Sequence, residues 1–262
     1  QTFARLGTAV TIIEMGEHFL PREDTDAVAV LRRAFERDGV DLRLATALDR
    51  VEAKGSVKVL HLKSEGAAAT LEVDAILVGV GRTPNVDGLG LEAAGVRFGQ
   101  AGVEVDDHLR TANPRIYAAG DVCSPYKFTH AADFMARAVV QNAFFGFAGR
   151  RKVSSLVIPW STYTDPEIAH VGLSEREAGE RGLEIATFSV SMSTVDRAVT
   201  DGDTEGFVRV HVRKGSDEIL GATVVARDAG EMRDTGRALD DVVVGGQRRI
   251  GAAAREADAG LP

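Results

Sequence analysis

Two short apolar runs, each ending at a glycine, limit the fold of this chain more than any other feature. Ala75-Ile76-Leu77-Val78-Gly79-Val80 leads into Gly81, and Ile116-Tyr117-Ala118-Ala119 leads into Gly120-Asp121. Neither run alternates apolar with polar residues, so neither has a water-facing side. Strands of that kind belong in a sheet covered on both faces, which predicts an α/β arrangement. A helical pattern follows the second run from about Thr129 to Phe147. Its apolar positions Phe134, Ala138, Val140, Phe144 and Phe145 are dense enough to predict a largely buried helix.

The flanking segments have their own periods. Gln1 to Gly7 reads as the end of a helix, with Gly7 where a left-handed cap is wanted. Val10 to Ile13 is β-branched and predicts a buried strand ending at Glu14. A helix is expected from Asp24 to Arg37, with Val28, Leu31 and Phe35 on one face and Gly39 as its stop. Val40, Leu42 and Leu44 alternate as in a half-buried strand, and residues 50–73 read as a β-meander. Beyond Arg150 the pattern turns α+β. Strand-like runs at Leu156–Pro159 and Ile168–Val171 precede a helix opened by Ser174 and Glu177 at capping-box spacing. Further strands are expected at Phe207–Val212 and Ile219–Val225. After Met232 the composition shifts to Ala, Gly, Arg and Asp, with one strand-like run at Val242–Val244.

Composition narrows the function classes. With 31 basic and 39 acidic residues the net charge is −8, which disfavours nonspecific binding to nucleic acid or acidic lipid. No apolar run reaches the length of a membrane span, and no charged-then-apolar leader is seen, so a cytoplasmic setting is expected. The single cysteine, Cys123, rules out an intramolecular disulfide and a multi-cysteine metal site; it reads as a small buried apolar residue. The chain opens on Gln1 rather than Met and is expected to start inside a longer protein.

The chemistry is concentrated in Thr111-Ala112-Asn113-Pro114-Arg115-Ile116-Tyr117-Ala118-Ala119-Gly120-Asp121. A strand there delivers a Gly-Asp pair to a helix start. The glycine lets a ligand approach the backbone, and the carboxylate can accept hydrogen bonds from sugar or ribitol hydroxyls. The helix N-terminus offers amide N–H groups to an electron-rich edge or a phosphate. A second glycine loop, Val78-Gly79-Val80-Gly81-Arg82-Thr83-Pro84-Asn85, also follows an apolar run.

Together these segments resemble the flavin-dependent pyridine nucleotide–disulfide oxidoreductases, above all mercuric reductase-like and dihydrolipoamide dehydrogenase-like members. The likeness covers residues 1 to about 232. It implies partial Rossmann-like nucleotide and FAD domains (α/β) followed by an α+β dimerisation domain. The expected division is 1–76 for the end of the NAD(P) domain, 77–150 for the second half of the FAD domain, 151–232 for an incomplete dimerisation domain, and 233–262 as an atypical tail. By the resemblance, Asp121 beside Gly120 binds the ribitol of FAD. Thr129, His130 and Ala131 start the helix whose backbone meets the flavin, with the His130 imidazole packed or hydrogen-bonded rather than catalytic. Gly81 lies in the loop that returns to the flavin domain. Glu14 matches the acid that binds the adenosine ribose of NAD, although Arg22 lies close by. Ile158–Leu173 resembles the entry to the family's dimerisation domain, and Ile219–Met232 a later strand and helix start in it.

The resemblance also implies what the chain lacks: the first FAD motif, the redox cysteine pair, the nucleotide glycine fingerprint and the His–Glu pair near the family's C-terminus. No histidine follows His211. A frameshift near Met232 and a missing 5′ end are expected, and with them poor NAD binding and a colourless, inactive chain. The implied parent moves a hydride from NAD(P)H to FAD and on to a cysteine pair. Two alternatives stand beside it: a related flavin NADH oxidase or reductase, against which Trp160–Leu173 argues, and a non-catalytic dimerisation module.

Overall fold

The computed structural model describes residues 1–64, 66–146 and 149–234. The first elements are α1 (Thr2–Arg5), β1 (Thr11–Ile13), α2 (Thr25–Arg37), β2 (Asp41–Arg43), β3 (Thr46–Lys54), β4 (Val57–Ser64) and β5 (Ala67–Val73). A hairpin of β6 (Phe98–Gly99) and β7 (Gly102–Val103) follows, then α3 (Thr129–Phe144). The last are β8 (Trp160–Thr162), β9 (Glu167–Gly172), α4 (Glu175–Glu180), β10 (Ile185–Ser191), α5 (Asp196–Asp201), β11 (Phe207–Arg213), β12 (Ile219–Ala226) and α6 (Ala229–Asp234). The chain divides into two compact units, one of residues 78–158 and one of residues 1–77 with the segment from Pro159 onward.

Among the described residues the larger unit holds three sheets. β1 and β2 pair in parallel, β3-β4-β5 form the expected meander, and β10-β11-β12-β9-β8 form an antiparallel five-stranded sheet. α2 forms where the period predicts it. Ala27, Val30, Leu31, Ala34 and Phe35 are buried, and Gly39 leaves the helix at φ +74°. That stripe packs with Ile168, Phe207 and Val225 of the five-stranded sheet in one core cluster. Burying Leu31 and Phe35 contributes about 1.5–3 kcal/mol each. α4 begins with a complete capping box: Ser174 Oγ accepts the Glu177 N–H, and the Glu177 carboxylate accepts the Ser174 N–H.

In the smaller unit, α3 packs Ala131, Met135 and Ala138 against Leu109 and Ile158.

Five expectations need correction. Residues 75–80 are exposed and irregular instead of a buried strand, and Ile116–Ala119 contributes only an isolated bridge, Arg110 to Tyr117. An interior parallel strand exists only where neighbours pair with it, and among the described residues neither run has such neighbours. The run Leu156–Pro159 is likewise irregular, the strand starting at Trp160. α3 is not largely buried: Phe134, Val140, Phe144 and Phe145 are exposed, and small residues line its packed face. β1 is half-buried rather than fully buried. The run Val242–Val244 lies outside the described residues.

Candidate functional site

The smaller unit assembles most of the residues singled out from the sequence. The backbone enters extended at Ala119 and turns at a 3-10 turn, Gly120–Val122. Gly120 has φ +78°, and a Cβ there would stand 2.8 Å from Ala132 Cβ on α3. Only glycine satisfies both the left-handed backbone and the close approach of the helix. Its carbonyl oxygen accepts the N–H groups of Cys123 and Ser124, which closes the turn.

Asp121 follows on the surface. Among the described residues no donor reaches its carboxylate, whereas its main-chain oxygen accepts from Lys127 Nζ at 2.7 Å. Lys127 Nζ also donates to Ser124 O at 2.9 Å. The glycine loop is tied to the same turn, because Arg82 Nη1 donates to Lys127 O at 2.7 Å. Gly81 is exposed, with φ +103°. Gly102 closes the underside, since a Cβ there would collide with the Val122 carbonyl oxygen and stand 3.1 Å from Pro84 Cβ. Lys127 and Gly102 were not singled out from the sequence, and Arg82 only as part of its loop. Their part lies in main-chain contacts, which residue types do not advertise.

α3 starts after Phe128, in extended conformation and with no side-chain cap. A helix start without a cap leaves first-turn N–H groups for an outside acceptor. Thr129 is exposed and Ala131 fully buried, so Ala131 can meet a ligand only through its backbone. The His130 ring stacks on Phe128 at 5.4 Å and meets Phe134 edge-on at 6.5 Å. Cys123 is half-buried, its sulfur 3.6 Å from Gly120 O, and burial pushes the thiol up to about 11. That environment suppresses the thiolate.

Glu14 belongs to the larger unit. It follows β1 as expected, and its carboxylate accepts the Gly16 N–H at 2.7 Å, so one oxygen is engaged by its own turn. Two open depressions of about 390 and 470 Å³ are lined by Leu42 to Ala69 and by Arg97 to Pro114; Thr111, Ala112 and Pro114 of the Gly-Asp motif line the second, and none of the candidate cofactor-binding residues lines either. Among the described residues no cluster suits a metal ion, and no helix is long and apolar enough to cross a membrane.

The larger unit adds a polar row that sequence reading missed. Trp160, His170, Thr223 and Arg209 lie opposite one another on β8, β9, β12 and β11. Three acids at the start of α2 meet this row in order. Glu23 accepts from Trp160 Nε1 at 3.1 Å, Asp24 from Thr223 Oγ1 at 2.8 Å and Asp26 from Arg209 at 2.6 Å. The spacing of the acids was visible in the sequence; their partners on three other strands were not.

Comparison with known proteins gives a consistent picture. Residues 1–136 match the family described as pyridine nucleotide-disulphide oxidoreductase, and residues 158–239 match that family's dimerisation domain. A mercuric reductase of Bacillus cereus is 35% identical over 233 residues, covering 88% of this chain and 37% of that protein. A dihydrolipoyl dehydrogenase of Thermus scotoductus is 37% identical, covering 88% of this chain and 50% of that protein. The structure of the HOCl-induced flavoprotein disulfide reductase RclA from Escherichia coli superposes with a TM-score of 0.79 at 30% identity, over 92% of this chain and 54% of that one. The chain spans about half or less of the curated relatives it matches.

Proposed function

The chain belongs to the pyridine nucleotide-disulphide oxidoreductase family, and on that premise we propose that it forms part of an FAD-dependent enzyme that passes a hydride from NAD(P)H through flavin to a cysteine pair. The observation that carries this reading is the Asp121 carboxylate, exposed and with no donor among the described residues, on the turn that Gly120 presses against the uncapped start of α3. An acceptor-only carboxylate beside an uncapped helix start suits a ligand with hydroxyls at one end and an electron-rich ring edge at the other, which is the chemistry of a flavin nucleotide.

In that role Asp121 accepts ribitol hydroxyls, and the backbone at Thr129, His130 and Ala131 faces the ring. The Gly81 loop is held to the turn by Arg82, and Lys127 keeps the turn closed. When bound, FAD supplies the two-electron chemistry, which no side chain in this set can perform. Glu14 is the residue offered to the adenosine ribose, and an acid there favours NAD over NADP. Residues 1–76 then serve the nucleotide, 77–150 the flavin and 151–232 a homodimer, in a cytoplasmic setting. The edge strand β10, with Phe188 and Val190 exposed, supports that dimer role.

Flavin titration of the purified 262-residue chain tests the reading. The chain should purify colourless and bind added FAD weakly, and Asp121→Ala should abolish that binding. FAD binding unchanged by Asp121→Ala overturns the role of Asp121. Stoichiometric flavin in the purified chain overturns the expectation that tight binding needs more than these segments.

A further inference from the structure

His170 is a buried histidine outside the proposed flavin site, 3% exposed, and both its ring nitrogens are engaged. Nε2 lies 3.1 Å from the Gly172 carbonyl oxygen, and a carbonyl can only accept. Nδ1 lies 2.9 Å from Thr223 Oγ1, whose own hydrogen goes to the Asp24 carboxylate at 2.8 Å. Thr223 must therefore accept from Nδ1 as well. Two acceptors require two N–H donors, and only an imidazolium has both. The Trp160 indole lies over the ring with centroids 4.4 Å apart, a placement that favours a cation.

The charges around the ring agree. Glu23 and Asp24 face it from the turn before α2, and Glu177 acts on it from α4. On β11, Arg209 is spent on Asp26, and burial pushes the His211 imidazole down, towards its neutral form. β8 and β12 contribute Trp160 and Thr223, which carry no charge. α6 packs on the opposite face of β9, with Ala169.

We propose that His170 is held as a buried imidazolium that clamps the acidic entry of α2 onto the five-stranded sheet through Thr223 and Asp24, so that loss of one proton loosens this joint. Deprotonation at either nitrogen leaves Gly172 O or Thr223 Oγ1 without its donor. This proton-dependent joint does not depend on the flavin reading.

Heteronuclear NMR of the histidine ring nitrogens tests it on the 262-residue chain. At about pH 7, where a free imidazole is largely neutral, the signals lost in His170→Gln should show two protonated nitrogens. One protonated nitrogen overturns the proposal. Trp160 is the chain's one tryptophan, so its emission gives a second reading that needs no histidine variant. At a fixed pH of about 7, quenching of Trp160 by the imidazolium should be relieved in Asp24→Asn, which removes the carboxylate behind Thr223. Emission that Asp24→Asn leaves unchanged overturns the proposal.

Discussion

Trp160 Nε1 and Glu23 Oε1 stand 3.1 Å apart although 137 positions separate them in the chain. The same carboxylate oxygen accepts from Thr162 Oγ1 at 2.9 Å, while Glu23 Oε2 is buried with no partner. One oxygen is thus doubly served and the other stranded, and the net effect of burial is to raise the Glu23 carboxyl above its usual value despite the hydrogen bonds from Thr162 and Trp160.

That asymmetry sets a sign for pH dependence. An acid raised on folding binds its proton more tightly in the native state, so its contribution to stability falls as pH climbs from the unfolded value through the folded one. Denaturant midpoints from mildly acidic to mildly alkaline pH should therefore fall less for Glu23→Gln than for the unaltered chain. Equal slopes would show that Glu23 titrates alike in both states.

Gly120→Ala should destabilise the smaller unit by about 1–3 kcal/mol, because it combines left-handed strain with a contact 2.8 Å from Ala132 Cβ. Gly55→Ala is the matched control, with φ +65° and nothing within 4 Å of the added Cβ. It should cost about 1 kcal/mol. Urea unfolding of the two variants gives the comparison, and equal losses would mean that the helix approach contributes nothing.

Cys123 should alkylate slowly while the chain is folded. A thiol moved from 9.0 to about 11 has about a hundredfold less thiolate at mildly alkaline pH, since each pKa unit is a factor of ten. Iodoacetamide labelling followed by mass spectrometry should show rapid reaction only after unfolding. Equal rates in both states would contradict the buried position.

Ser174→Ala removes the acceptor for the Glu177 N–H and half of the capping box on α4. The expected loss is about 1 kcal/mol. Thr200→Ala, which removes only an exposed hydroxyl bond to Arg197 O, should change stability by less than about 0.5 kcal/mol. Thermal melts of the two variants distinguish a cap from a surface bond.

Local patterns were read correctly where the element depends on its own residues. α2 follows its apolar stripe and its glycine stop, α4 its Ser174 and Glu177, and the meander its turns. The Gly120-Asp121 turn and the start of α3 were legible for the same reason, since left-handed backbone and helix entry are properties of a few adjacent residues. The runs at 75–80 and 116–119 were misread because a buried strand is a relation to neighbours, and no neighbour pairs with them among the described residues. Aromatic density on α3 also misled: Ala131, Met135 and Ala138 take the packed face, leaving Phe144 exposed.

The sequence alone determined where helices start, where the chain turns and which carboxylate stands at the Gly-Asp turn, because these depend on backbone freedom and spacing over a few residues. Tertiary structure decided which distant polar groups meet. Thr223 reaches Asp24 across 199 positions only because β12 is registered against β9 and α2 lies on that face of the sheet. A buried hydrogen bond or charge is settled by whichever group is nearest in space, and strand register, not spacing along the chain, makes that choice.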